Sequence, residues 1–265
     1  MIDSFFYPVI LAGLICGASM GLLGVYVVGM RMPFIGTCIS HAAMAGAVFG
    51  AILGINSTLC AIILSVIAAM SLAMIKPDRI RLETNVSLAI VFSLMIGLTF
   101  LGIGLLQNSR SDVLGLLWGS LLFVNMKMIA TISVSAFFLF CFAIACDKEM
   151  RAILFSRSIA AATGVHERLI YIIFLLLCAI TLAINLPAVG GLLIFSLITN
   201  PAAAAYQLCS GLKAVAIVSV IFGVVSAIGG FFISFYLNLP TGACIVILST
   251  VIFAAASVTK SLFIK

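Results

Sequence analysis

Charge is what this chain has least of. Only 8% of its 265 residues are charged, 13 Lys+Arg against 7 Asp+Glu, while 65% are hydrophobic. Soluble domains carry roughly 25% charged residues, so a soluble globule could not hide this much apolar side chain. That scarcity excludes a disordered chain and a cytosolic enzyme. Catalytic motifs are missing too: no HExxH, GxSxG or GxxxxGK[ST] occurs. No two carboxylates lie within an apolar run, so neither acid–base chemistry nor a proton relay has its parts. A chain of this kind that moves a solute against a gradient must draw its energy from a partner. No CxxC pair is present. Cys16, Cys38, Cys60, Cys141, Cys146, Cys178, Cys209 and Cys244 all sit in or beside apolar runs, which predicts buried, reduced thiols rather than a disulfide scaffold. A long basic run is also absent. The net charge of +6 therefore indicates no nucleic-acid partner, and positive-inside loop bias accounts for it.

What is present is a series of apolar stretches long enough to cross a bilayer, which needs about 20 residues each. Residues 32–75, 169–212 and 214–259 each contain no Asp, Glu, Lys or Arg and hold two spans apiece. Turns are predicted at Gly54-Ile55-Asn56-Ser57, Asn185-Leu186-Pro187 and Asn238-Leu239-Pro240-Thr241-Gly242. The fold class is thus an all-α polytopic membrane protein of eight to nine transmembrane helices in a single domain, 1–265. The nine spans are 7–30, 34–54, 57–75, 86–106, 128–146, 169–186, 188–207, 214–236 and 243–259. Residues 113–126 are too short to span and read as interfacial or re-entrant. The N-terminus reads as a retained first span, because Asp3 stands where a signal peptide has positive charge. With the N-terminus outside and the C-terminus cytoplasmic, every cation except Arg110 and Lys127 falls inside. The longest inside loop, 147–168, predicts an amphipathic helix ended by Gly164. Such a helix is a docking surface for a partner or lies on the membrane.

Polar groups inside spans are the functional candidates, because burying them in lipid is costly. His41 is the one ionisable side chain well inside a span. Thr37 lies one helical turn before it on the same face, and Cys38 lies close by. Imidazole, hydroxyl and thiolate together suit a divalent transition metal ion. A histidine hydrogen-bonded to a neighbouring helix is the alternative. Thr199-Asn200-Pro201 places a proline within the seventh span, which points to a kink or to a broken helix lining a pathway. Gly190-Gly191 and Gly229-Gly230 predict close helix packing.

Several of these segments recur in one known family. Gly21-Leu22-Leu23-Gly24-Val25-Tyr26-Val27-Val28, Arg31-Met32-Pro33-Phe34-Ile35-Gly36, and Ser40-His41-Ala42 with Gly46 come first. Leu117-Trp118-Gly119-Ser120-Leu121-Leu122 and Ala160-Ala161-Ala162-Thr163-Gly164 follow. Val189-Gly190-Gly191-Leu192-Leu193, Pro201-Ala202-Ala203 and Leu239-Pro240-Thr241-Gly242-Ala243 complete the order. In this order and spacing the chain resembles the membrane permease of bacterial ABC importers for zinc, manganese or ferrous iron, a type II importer-like permease. The resemblance implies a dimer with a second copy of the chain in the bacterial plasma (inner) membrane. It implies cytosolic ATPase subunits that hydrolyse ATP, and an extracytoplasmic metal-binding protein. The chain itself would be a transport subunit without enzymatic activity. It would hold no permanent cofactor, only a transported divalent metal ion. His41 would contact the ion, and the 147–168 loop, with Ala160 and Gly164, would couple to the ATPase. Three positions depart from the family pattern: Thr37 replaces an aspartate, Ala45 a proline and Asn238 an aspartate. Thr37 and Cys38 are then candidate substitute ligands, and Asn200 and Pro201 candidate pathway residues. An ATP-independent channel or carrier is the alternative function, and it would need coupling charges these spans lack.

Overall fold

The computed structural model describes residues 6–74, 84–105, 119, 121, 124–191 and 194–263. Eleven α-helices account for nearly all of them, and no strand occurs among the described residues. The helices are α1 (Phe6–Gly29), α2 (Phe34–Leu53), α3 (Ser57–Met74), α4 (Thr84–Leu105), α5 (Met126–Ala145), α6 (Asp147–Phe155) and α7 (Arg157–Ala162). They continue with α8 (Glu167–Val189), α9 (Ile194–Leu208), α10 (Leu212–Leu237) and α11 (Thr241–Phe263). Helices prevail because lipid offers no partner for a free N–H or C=O, so each span must bond its own backbone.

Eight helices are long and apolar enough to cross a membrane: α1 to α5, α8, α10 and α11. The seventh expected span, 188–207, corresponds to α9, which has only 15 residues. That is about 22 Å of helix against a hydrocarbon core of about 30 Å. Its predicted neighbour also shifts. The turn expected at Asn185-Leu186-Pro187 is helical, and α8 runs through Pro187 to Val189. The break comes at Gly190, whose φ of +92° no helix accommodates. A proline removes one backbone donor, whereas a positive φ redirects the chain, so the glycine wins. Gly191 then lies against Met44 in the middle of α2, so α9 begins part-way across the bundle.

The broadest helix interface joins α1 to α10. Its cause is small side chains. A Cβ on Gly17 would stand 2.6 Å from the Gly223 carbonyl oxygen, and one on Gly21 would stand 2.5 Å from that of Ser219. The backbones touch, and Ser219 Oγ donates to the Gly21 carbonyl at 2.7 Å. Dispersion and such bonds, not water exclusion, hold helices together in lipid. Gly230 does the same for α10 and α11, with Ile245 Cα 2.6 Å from a would-be Cβ. All eight cysteines are unpaired.

One end of the bundle collects charge. Gly29 at the end of α1 meets Leu154 of α6 and Tyr206 of α9, and Tyr206 donates its hydroxyl to the Val25 carbonyl at 2.9 Å. Arg31, Lys148, Arg151, Arg157, Arg168, Lys213 and Lys260 therefore lie at the end where α1, α5 and α9 finish. Among the described cations only Lys127, at the start of α5, lies at the opposite end. The 113–126 segment falls mostly outside the described residues. Of the described positions, Leu121 is buried near Gly13 of α1, and Gly119 sits on the α8 break.

Candidate functional site

The site grows from α2. This helix stops where Gly54 turns left-handed at φ +67° and its N–H returns to Ala51 and Gly50. Its interior carries Ala42, Ala43, Ala45, Gly46 and Ala47, all buried, so α3 and α4 approach closely. Within this small-residue stretch His41 is only 3% exposed. Its ring meets Phe92 of α4 edge-on, with centroids 4.9 Å apart.

Four buried side-chain polar atoms lack a hydrogen-bond partner among the described residues. Two of them are Thr37 Oγ1 and His41 Nδ1. Threonine on a helix normally bonds the carbonyl one turn back. Thr99, Thr250 and Thr259 do so here, on Met95, Val246 and Ala255. Thr37 does not, and its carbonyl accepts from Ser40 Oγ at 2.9 Å instead. A buried polar atom without a partner forfeits its hydration, which costs about 1–3 kcal/mol. Thr37 Oγ1 and His41 Nδ1 are thus two unpartnered polar atoms, one turn apart on α2. An imidazole nitrogen and a hydroxyl oxygen are both ligands for a transition ion.

Cys38 is fully buried in the main apolar core beside Ile35 and Ile39. Among the described residues no three His, Cys, Asp or Glu side chains gather into a metal-binding group. Asn200 braces α9 to α11, its amide donating to Ser249 Oγ and Thr250 Oγ1, each at 3.0 Å. Pro201 lies inside α9 and is buried, while the actual helix break is at Gly190.

The loop at the basic end is two helices, not one. Ser156 is extended and caps α7 by accepting from the Ile159 N–H, so α6 and α7 meet at an angle. Ala160 is wholly buried and seats α7 on the bundle, while Phe155 at 82% and Ile159 at 51% exposure face away. Gly164 follows at φ +83° with open space where a Cβ would stand. At its two ends this segment is tied by ion pairs, Arg151 to Asp147 at 2.7 Å and Arg157 to Glu167 at 3.1 Å. At the α5–α6 junction burial pushes the Cys146 thiol up, and the Glu149 carboxylate adds to it, which keeps that thiol protonated.

Sequence reasoning missed three features. Thr181 Oγ1 and Asn185 Oδ1 form a second unpartnered pair on α8, while the Asn185 amide donates to the Thr181 carbonyl. Ser65 of α3 bonds the Ala179 carbonyl of α8. Gly119 seals the α8 break, where a Cβ would lie 2.2 Å from Gly190 N. The α1–α10 contact did have a readable signal, the small-xxx-small spacing Gly17-x3-Gly21 of packed spans.

Known proteins share this fold. The chain is 26% identical over 247 residues to the high-affinity zinc uptake system membrane protein ZnuB of Haemophilus influenzae, covering 93% of this chain and 94% of that one. It is 28% identical over 259 residues to the manganese transport system membrane protein MntC of Listeria monocytogenes, covering 96% and 90%. Its fold overlays PsaBC from Streptococcus pneumoniae, solved in complex with Fab, with a TM-score of 0.85 over 96% of this chain and 91% of that chain, at 22% identity. Residues 2–260 match the ABC 3 transport family across eight candidate spans, and the chain is a multi-pass membrane protein that belongs to that family.

Proposed function

We propose that this chain is the permease subunit of an ATP-driven importer for a divalent transition metal ion, zinc or manganese first, with ferrous iron the third candidate. The carrying observation is the unpartnered pair Thr37 Oγ1 and His41 Nδ1 inside α2. Zinc and manganese appear in the names of relatives that cover most of the chain. Two donors fall short of the four that zinc usually takes. A second copy of the chain, with its own Thr37 and His41, or water supplies the remainder. Phe92 on α4 covers the imidazole. Ion passage then requires α2 and α4 to part at that contact, an alternating-access movement.

The chain carries no ATPase motif, so hydrolysis belongs to cytosolic partner subunits. In this reading they dock on the 147–168 loop, where Phe155 and Ile159 present apolar surface and Ala160 and Gly164 shape the seat. The basic end is cytoplasmic, which leaves the N-terminus outside and the C-terminus inside the plasma membrane. The opposite end, with Lys127, receives an extracytoplasmic metal-binding protein. The whole chain, 1–265, acts as one transmembrane domain.

The test is uptake of zinc, manganese and ferrous iron in cells lacking their own importers. This chain is co-expressed with its ATPase and binding protein, with and without His41→Ala. One metal accumulates in an ATPase-dependent manner, and His41→Ala lowers its uptake about tenfold or more at equal protein level. Uptake that persists without the ATPase supports the channel or carrier reading instead. Equal uptake at equal abundance removes His41 from the pathway.

A further inference from the structure

We infer that Arg157 is the positioning residue that couples the ATPase-docking helix α7 to movement of α8. This rests on the importer reading above. Arg157 opens α7, and its Nη2 donates to Glu167 Oε2 in the first turn of α8 at 3.1 Å. Its Cζ also stands 4.1 Å over the centroid of Tyr171, one turn further along α8. One guanidinium therefore grips α8 twice, by charge and by its flat face. Lysine, a point charge on a flexible stem, cannot reproduce both contacts.

The segment between these residues is closed and short. Thr163, Gly164 and Val165 return their N–H groups to Ile159, Ala161 and Ala160. Gly164, at φ +83°, turns the chain so that residues 10 positions apart meet. With Ala160 wholly buried, α7 and the start of α8 form one body. That body continues as a helix to Val189, where Gly119 packs on the backbone. Just past it, Gly191 touches Met44, one turn beyond His41 on α2. A tilt of α7 is thereby delivered at the His41 helix. Without the Arg157 grip, α7 follows the ATPase while α8 stays behind.

The experiment uses the assembled importer in liposomes and reads zinc or manganese ions moved per ATP hydrolysed. Arg157→Ala lowers that ratio about fivefold, with ATPase subunits still bound and still hydrolysing. Arg157→Lys falls between. Glu167→Gln, which keeps side-chain size, serves if Arg157→Ala fails to assemble, and it lowers the ratio too. The exchanged pair Arg157→Glu with Glu167→Arg restores about half of the lost ratio. An unchanged ratio in Arg157→Ala or Glu167→Gln overturns the inference, as does no recovery in the exchanged pair. A wild-type complex that moves no metal overturns the importer reading and the latch with it. A transporting wild type with an unchanged ratio in the variants overturns the latch alone.

Discussion

At the residue scale, three positions concentrate the consequences. Thr37 Oγ1 and His41 Nδ1 are left without a partner on α2, where an unmade bond is expensive. The sequence singled out His41 as an ionisable group within an apolar span, and Thr37 as its neighbour one helical turn earlier. Gly119 is the third position. Its φ is +62°, and a Cβ there would overlap Gly190 N at 2.2 Å. Gly119→Ala is expected to destabilise the fold by about 1–3 kcal/mol through overpacking. Thermal unfolding of the detergent-solubilised protein reads this, and an unchanged midpoint would mean Gly119 is seated elsewhere. The sequence marked Gly119 only through its family-like surroundings, since nothing local reveals what backbone lies across from a glycine.

At the element scale, the docking loop separates two effects that a single substitution would mix. Gly164→Asp appears a direct probe, but φ +83° strains any side chain whatever the partner does. Left-handed backbone costs about 1–2 kcal/mol for most residues and less for asparagine. Gly164→Asn is therefore expected to keep ATPase recovery in a pull-down near wild type, whereas Gly164→Ala lowers it. Ile159→Asp leaves the backbone alone and charges an exposed apolar position. Complex recovery should fall while the level of inserted permease stays constant, and equal recovery would place the dock off α7. The division of the loop into α6 and α7 was not legible, because Ser156 is compatible with a helix interior until its hydroxyl finds the Ile159 N–H. The end of α8 was misplaced for a related reason. Pro187 is the louder signal in a string of letters, yet lipid keeps the helix bonded until Gly190 takes a positive φ.

At the scale of the whole molecule, the described cations other than Lys127 sort to one end of the bundle. Eight long helices alone would return the chain to the side it started from. The short α9, beginning beside Met44, finishes at the basic end next to Gly29 and restores the odd count. That arrangement predicts opposite faces for Lys127 and Lys148, both exposed. In a background without native cysteines, Lys127→Cys should react with a membrane-impermeant maleimide on intact cells. Lys148→Cys should react only after permeabilisation. Labelling of both in intact cells would refute the assigned orientation.

Composition and the spacing of charge were enough to establish a multi-pass helical protein, its approximate span count, the long basic loop and the burial of His41 within a span. These follow from transfer energies that each residue carries with it wherever it is placed. Packing determined the rest: which small residues meet backbone to backbone, that Cys38 enters the core while Thr37 is left without a partner, and that α8 breaks at Gly190 against Gly119. It also set Arg157 on Tyr171 and Glu167. Contacts of this kind depend on what lies opposite, and in a bundle the opposite residue comes from a distant part of the chain.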